Sequence, residues 1–234
     1  MAAAAAIANR PPSGHVSLMI LYTFGKVPSF ARGQVRDLRV RWALEEAGLP
    51  YEVRLVGKPP MLPMSQYRAI QPFGQVPAID DGGLVLFETG AILLHIAEKT
   101  GALLPPEPAE RAQVLQWLFA GLATIEPPVR RLIEPPLFNA GEPWVEAAHP
   151  SAIDAVARRL EQLGEALGER LWLAGTFSIA DILMTTILRI LDGSGVVEAK
   201  SDLAAYKARG EARPAFRRAL DAQLADLDRT EPTS

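Results

Sequence analysis

Few positions in this chain could carry chemistry, and each has a local reading to set against it. Pro77 opens a short apolar run, Val76 to Ile79, where a proline removes one ladder donor from a strand. Read locally, it is an ordinary proline at the start of an edge strand. Eleven residues on, Glu88 and Thr89 fall where a second run, Leu84 to Phe87, passes into a helical pattern. There the hydroxyl of Thr89 could serve only as an N-cap, with Glu88 a solvated neighbour. Three further hydroxyls lie early in the chain: Tyr22 and Thr23 at the end of an apolar run, and Ser29 in the loop after it. The chain has no cysteine, so it has neither disulfides nor chemistry on its own thiol. His15, His95 and His149 are scattered, which gives no metal-ligand spacing.

The elements that must position these residues follow from periodicity. Residues 17–24 read as a first strand, "GKVPSFARGQ" as a loop, and residues 34–47 as an amphipathic helix stopped by Gly48. "PYEVRLV" alternates as a second strand, and the Pro-rich "PPMLPMSQYRAI" is a connection with one helical turn at "SQYRAI". Residues 76–79 and 84–87 form a hairpin across "DDGG", followed by a helix over 90–99. The order β-α-β-(α)-β-β-α suits a mixed sheet with helices on its faces. Beyond "LLPPEPAE" no strand is expected. "ERAQVLQWLFAGLATI", "HPSAIDAVARRLEQLGEALGE" and "SIADILMTTILRIL" read as amphipathic helices, and the closing helical pieces break at Gly210 and Pro214. Ser178 and Asp181 form an S-x-x-D capping box and are assigned to folding.

Composition bounds the function. A net charge of -3 provides no basic field for nucleic acid, and no run of about 18 apolar residues offers a membrane span. The Ala-rich opening lacks a basic segment followed by a long apolar core, so a secretory signal is not expected.

Four stretches in order, "ALEEAGLPYE" (43–52), "QPFGQVPAI" (71–79), "LFETGAI" (86–92) and "FSIADILM" (177–184), resemble the cytosolic glutathione S-transferase superfamily of the bacterial type. The resemblance spans residues 18–225 and assigns no class. It implies an α/β N-terminal thioredoxin-like domain (βαβ-ββα) over 17–103 and a linker over 104–109. An all-α C-terminal domain over 110–226 would line an electrophile pocket, with flexible tails at 1–16 and 227–234. It implies glutathione as co-substrate, no metal, a small hydrophobic electrophile, a two-fold homodimer and a cytoplasmic location.

The resemblance also supplies roles. In that family the proline before the third strand is cis, which would turn the Val76 backbone outward to pair with the cysteinyl unit of glutathione like an added strand. Glu88 would meet the γ-glutamyl ammonium. Thr89, with free N–H groups at a helix start, would hold its α-carboxylate. Gln75 stands where relatives approach the glycine carboxylate, and Gln71 where asparagine is commoner. The family stabilises the thiolate with a tyrosine or serine near the end of strand one. Here the first loop is some five or six residues longer than usual, so the hydroxyl does not align uniquely. Ser29 ranks first, then Tyr22, then Thr23, with Arg32 and Arg36 as cations that could polarise the thiol. Trp117, Phe119, Pro127 and Phe138 are the expected pocket walls, in a region where "EPPVRRLIEPPLF" should interrupt the helix. The alternative is a non-catalytic glutathione-binding or scaffold protein on the same fold.

Overall fold

The structure is a computed structural model that describes residues 18–58 and 60–229. His15, the residues before 18 and the last five lie outside the described residues. Five strands form one mixed sheet in the order β3-β2-β1-β4-β5: β1 (Met19–Phe24), β2 (Tyr51–Gly57), β3 (Leu62–Pro63), β4 (Ala78–Asp81) and β5 (Leu84–Phe87). β1 runs parallel to β2 and antiparallel to β4, with Leu21 opposite Val53 on one side and Ile79 on the other. Side chains of a strand alternate between faces, and β1 shows it. Leu21 joins the large core with Leu38, Trp42 and Ile92, whereas Tyr22 joins a separate cluster with Val56, Tyr67 and Ala78. Helix α1 (Asp37–Ala47) and α3 (Thr89–Thr100) supply the first face, and the single turn α2 (Met64–Tyr67) the second.

Helices follow: α4 (Pro108–Ala120), α5 (Glu126–Phe138), α6 (Pro143–Leu167), α7 (Ile179–Arg189), α8 (Ser201–Glu211) and α9 (Pro214–Asp228). None of the described helices is long and apolar enough to cross a membrane. The capping box opens α7: the buried Asp181 carboxylate accepts from the N–H and hydroxyl of Ser178, the N–H of Leu173 and the hydroxyl of Tyr206.

Several boundaries differ from the sequence reading, each for a local reason. Helix α1 starts at Asp37 rather than 34, because residues 34–36 are taken up in turns. The Pro-rich connection holds a two-residue strand, β3, and its helical turn ends at Tyr67. β4 begins at Ala78, after Pro77, which has no N–H to give the ladder. The "EPPVRRLIEPPLF" stretch does not interrupt a helix. The irregularity lies upstream, in one π-helical turn, Gly121–Ile125, where the Glu126 N–H reaches back to Gly121 C=O. Pro127 and Pro128 then occupy the first turn of α5, where an N–H is not needed. Gly210 does not break α8. It sits inside the helix because a Cβ there would lie 2.7 Å from Oγ1 of the buried Thr185. The break comes at residues 212–213, and α9 continues to Asp228, past the expected start of a tail at 227.

Candidate active site

The Val76–Pro77 bond is cis. Around it the backbone is tied down by side chains: the Tyr67 hydroxyl donates to Gln75 C=O at 2.7 Å, and the Gln75 N–H donates to Oε1 of the buried Gln71 at 3.1 Å. Val76 itself enters none of the backbone hydrogen bonds of the sheet and turns among the described residues. Its N–H and C=O thus have no protein partner among the described residues and, on a cavity wall, are available to an extended peptide.

Glu88 sits between β5 and α3 with φ 68, a left-handed conformation that a non-glycine residue adopts at a cost of order 1–3 kcal/mol. Its carboxylate makes no hydrogen bond or ion pair among the described residues. Thr89 is the first residue of α3, not its N-cap. Its hydroxyl accepts from Arg39 Nη1 at 3.4 Å. The local alternative, Thr89 as an N-cap, therefore does not describe this helix start. Gly90 follows, and a Cβ there would lie 2.8 Å from Leu122 in the π turn. Glycine lets that turn close over the start of α3.

Gln71, Gln75, Val76, Pro77, Glu88 and Thr89 line one cavity of about 320 Å³. Its opposite wall is Leu122, Glu126 and Pro127, and three arginines complete it: Arg36, Arg39 and Arg130. Glu126 is the hub of these charges. Its Oε1 accepts from Arg36 Nη2 at 3.0 Å and Arg130 Nε at 2.7 Å, and its Oε2 from Arg39 Nη1 at 3.0 Å. Burial alone would raise the Glu126 carboxyl, but Arg39, Arg36 and Arg130 outweigh it and hold it at about 2. Arg39 is 2% exposed and also donates to Thr186 Oγ1 at 3.0 Å. With three arginines against two carboxylates, the cavity favours an anion.

A second cavity of about 420 Å³ adjoins the first and shares Arg36, Gln75, Val76 and Arg130 with it. Its other walls are largely apolar, including Phe24, Val27, Pro28, Phe30 and Phe138. Of the expected pocket walls, Pro127 lines the first cavity and Phe138 the second. Trp117 packs against the core, and Phe119, 62% exposed, lines neither.

The hydroxyl candidates are placed differently. Tyr22 is buried on the α2 face of the sheet beside Tyr67, and its hydroxyl accepts from Arg54 at 3.4 Å. Thr23 is buried and hydrogen-bonded to Asp37. Ser29 heads an exposed 3-10 turn. None of the three lines either cavity, whereas Arg36 lines both. Arg32 is engaged on the far side of the loop, where it pairs with Asp228. Sequence reasoning missed Arg39, Glu126 and Arg130. Arg39 and Arg36 lie 87 and 90 residues from Glu126 along the chain, so those pairs needed the fold. Arg130 lies four residues from both Glu126 and Glu134, and that i,i+4 spacing is the signal that could have found it.

Comparison with known proteins extends these findings. Residues 38–99 match the family model of the glutathione S-transferase N-terminal domain. The chain is 37% identical to disulfide-bond oxidoreductase YfcG of Escherichia coli over 78% of this chain and 89% of that protein. It is 31% identical to glutathione S-transferase 4 of Zea mays over 76% and 83%. Among solved structures, a glutathione transferase from Burkholderia graminis with two glutathione molecules bound per subunit aligns with TM-score 0.76. That alignment has 29% identity and covers 90% of each chain. One from Pseudomonas putida, with one glutathione disulfide bound per subunit, aligns with TM-score 0.74 and 28% identity over 89% of this chain and 93% of that one.

Proposed function

Because the chain belongs to the cytosolic glutathione S-transferase superfamily, we propose that it binds glutathione in the first cavity and activates the bound thiol for attack on a substrate in the second. The observation that carries this is the alignment of three features on one cavity wall. They are the unpaired Val76 backbone, the unpartnered Glu88 carboxylate and the buried Thr89–Arg39 pair at a helix start. An extended peptide satisfies the first like an added strand. An ammonium satisfies the second. A carboxylate suits the third, where a hydroxyl, a guanidinium and helix N–H groups converge. Glutathione carries all three along its length.

The thiol then loses its proton to solvent, and the thiolate attacks from the seam between the cavities. With a carbon electrophile, a sulfur–carbon bond forms while a leaving group departs or the displaced electron pair takes a proton. The apolar walls around Phe24, Phe30 and Phe138 suit a small hydrophobic substrate of this kind. A second reading is reduction of a disulfide. The bound thiolate attacks one sulfur, the sulfur–sulfur bond breaks, and the other half leaves as a thiolate that is protonated. A second glutathione then attacks the mixed disulfide, which releases the remaining half as a thiol and leaves glutathione disulfide. This route needs no cysteine in the protein. It is favoured by the two cavities sharing a wall, and by a relative named for disulfide chemistry and neighbours holding a glutathione disulfide or two glutathiones.

Calorimetric titration with reduced glutathione tests the proposal. Saturable binding at a 1:1 ratio per chain is expected. Absence of binding at millimolar glutathione overturns it, and binding without any turnover of carbon electrophiles or disulfides leaves the non-catalytic alternative. A homodimer belongs to the same proposal, supported by the exposed Phe73, 69% exposed, and by Leu84 and Val85 on the edge strand β5. Sedimentation equilibrium should give twice the chain mass, and a monomer at micromolar concentration removes that element.

A further inference from the structure

The geometry points to Arg36 and Arg130, steered by Glu126, as the groups that stabilise the glutathione thiolate, in place of a hydroxyl. This inference rests on the proposed glutathione site and deepens it. If the cysteinyl unit pairs with Val76, its side chain lies along the wall that the two cavities share. That wall consists of Val76, Gln75, Arg36 and Arg130. Two of these four are cations, and none carries a hydroxyl. Tyr22, Thr23 and Ser29 lie outside both cavities.

The two guanidiniums have donors to spare. Arg36 uses Nε and Nη2 on Glu126 Oε1, at 3.2 and 3.0 Å, which leaves Nη1 without a partner among the described residues. Arg130 uses Nε on the same oxygen at 2.7 Å and Nη1 on Glu134, which leaves Nη2. A single carboxylate oxygen therefore gathers both arginines, and their remaining N–H groups sit beside the shared wall. Their side chains are 33% and 27% exposed, so both reach solvent-filled space rather than being sealed in the core. The other charges nearby are Arg39 behind Glu126, Glu134 on Arg130, Lys26 on the second cavity, and Glu88 on the first. A thiolate there meets more positive than negative charge, and a cation within a few ångströms favours the ionised thiol.

Glu126 is the positioning residue in this scheme. The β1–α1 loop makes the arrangement possible. It is pinned by the Gln34 side chain donating to Arg189 C=O at 3.1 Å and by the Gln223 side chain donating to Val35 C=O at 3.2 Å, which fixes Arg36 at the start of α1. The long loop thus carries Ser29 outward and brings an arginine to the seam.

Ultraviolet difference absorbance of bound glutathione across pH reads the ionisation directly. In the wild type the bound thiol is expected to ionise below the value of free glutathione. Arg36→Gln and Arg130→Gln should each raise that ionisation by about one pH unit, a roughly tenfold loss of thiolate at neutral pH. The double variant should lose most of the shift, and Arg36→Lys should retain part of it. Ser29→Ala, Tyr22→Phe and Thr23→Val should leave it in place. Binding of S-methylglutathione, which has no thiol to ionise, checks each variant for an intact site. If the wild type binds no S-methylglutathione, the glutathione site itself fails. If it binds, and the arginine variants bind it as well but ionise glutathione like the wild type, or if Ser29→Ala alone removes the shift, the arginine assignment is overturned.

Discussion

Glu126→Gln is expected to destabilise the protein by about 3–5 kcal/mol, measured by denaturant unfolding. The substitution keeps the shape of the side chain and one acceptor oxygen but removes the charge that three arginines share. Arg36 and Arg130 can turn toward water. Arg39 cannot: it is 2% exposed, and only neutral acceptors, Thr186, Thr89 and at most the new amide oxygen, would remain for it. A buried cation without its counter-charge carries the larger part of the cost. The same pair predicts the acid limb of stability. Glu126 ionises at about 2 in the folded protein against 4.5 without the fold. Its contribution is therefore complete above pH 4.5 and declines as the pH falls toward 2, by about 3 kcal/mol in all. Glu126→Gln should flatten stability over that window. A loss below 1 kcal/mol, or an unchanged acid limb, would show that Arg39 is solvated by other means.

Glu88→Gly should separate function from stability. Glycine adopts φ 68 freely, so relieving that residue should stabilise the fold by about 1 kcal/mol, or at least leave it unharmed, since the carboxylate holds nothing in the protein. Glutathione affinity should fall by roughly 10- to 100-fold, the worth of one charge-assisted hydrogen bond at a partly solvated site. Paired thermal unfolding and titration calorimetry read both quantities from one preparation. A variant that is more stable yet binds as tightly as the wild type would remove Glu88 from the ligand's path. A variant that is less stable would mean the strained conformation has a structural reason.

What was legible in the sequence was local. The strand-to-helix junction at Glu88–Thr89 is a short-range feature, because the residues that define it are neighbours along the chain. The capping box at Ser178 and Asp181 is legible for the same reason. The cis bond at Pro77 was legible only through the resemblance of four separated stretches, since read locally Pro77 is an ordinary edge-strand proline. Arg39 and Glu126 were not legible, since a charge on an amphipathic helix reads as solvated until the fold brings opposite charges from distant segments together. Arg130 pairs with Glu126 four residues away, a spacing that is legible in the sequence but sits inside a Pro-rich stretch. Prolines misled at residues 127 and 128, where the preceding π turn frees them from the donor a helix interior would demand. Gly210 misled because its reason lies across the helix interface, at Thr185, rather than in its own backbone. That the first loop carries Ser29 away from the cavity while Arg36 reaches its wall needed the fold.

If one cavity wall reads glutathione from end to end, a crystal structure of the protein with glutathione bound will show it. The cysteinyl backbone is expected to pair with the N–H and C=O of Val76. The γ-glutamyl end should lie at Glu88 and Thr89, and the sulfur should face Arg36 and Arg130. Glutathione bound away from Val76, or lying with its γ-glutamyl end at Gln75 and its glycine at Glu88, would contradict it.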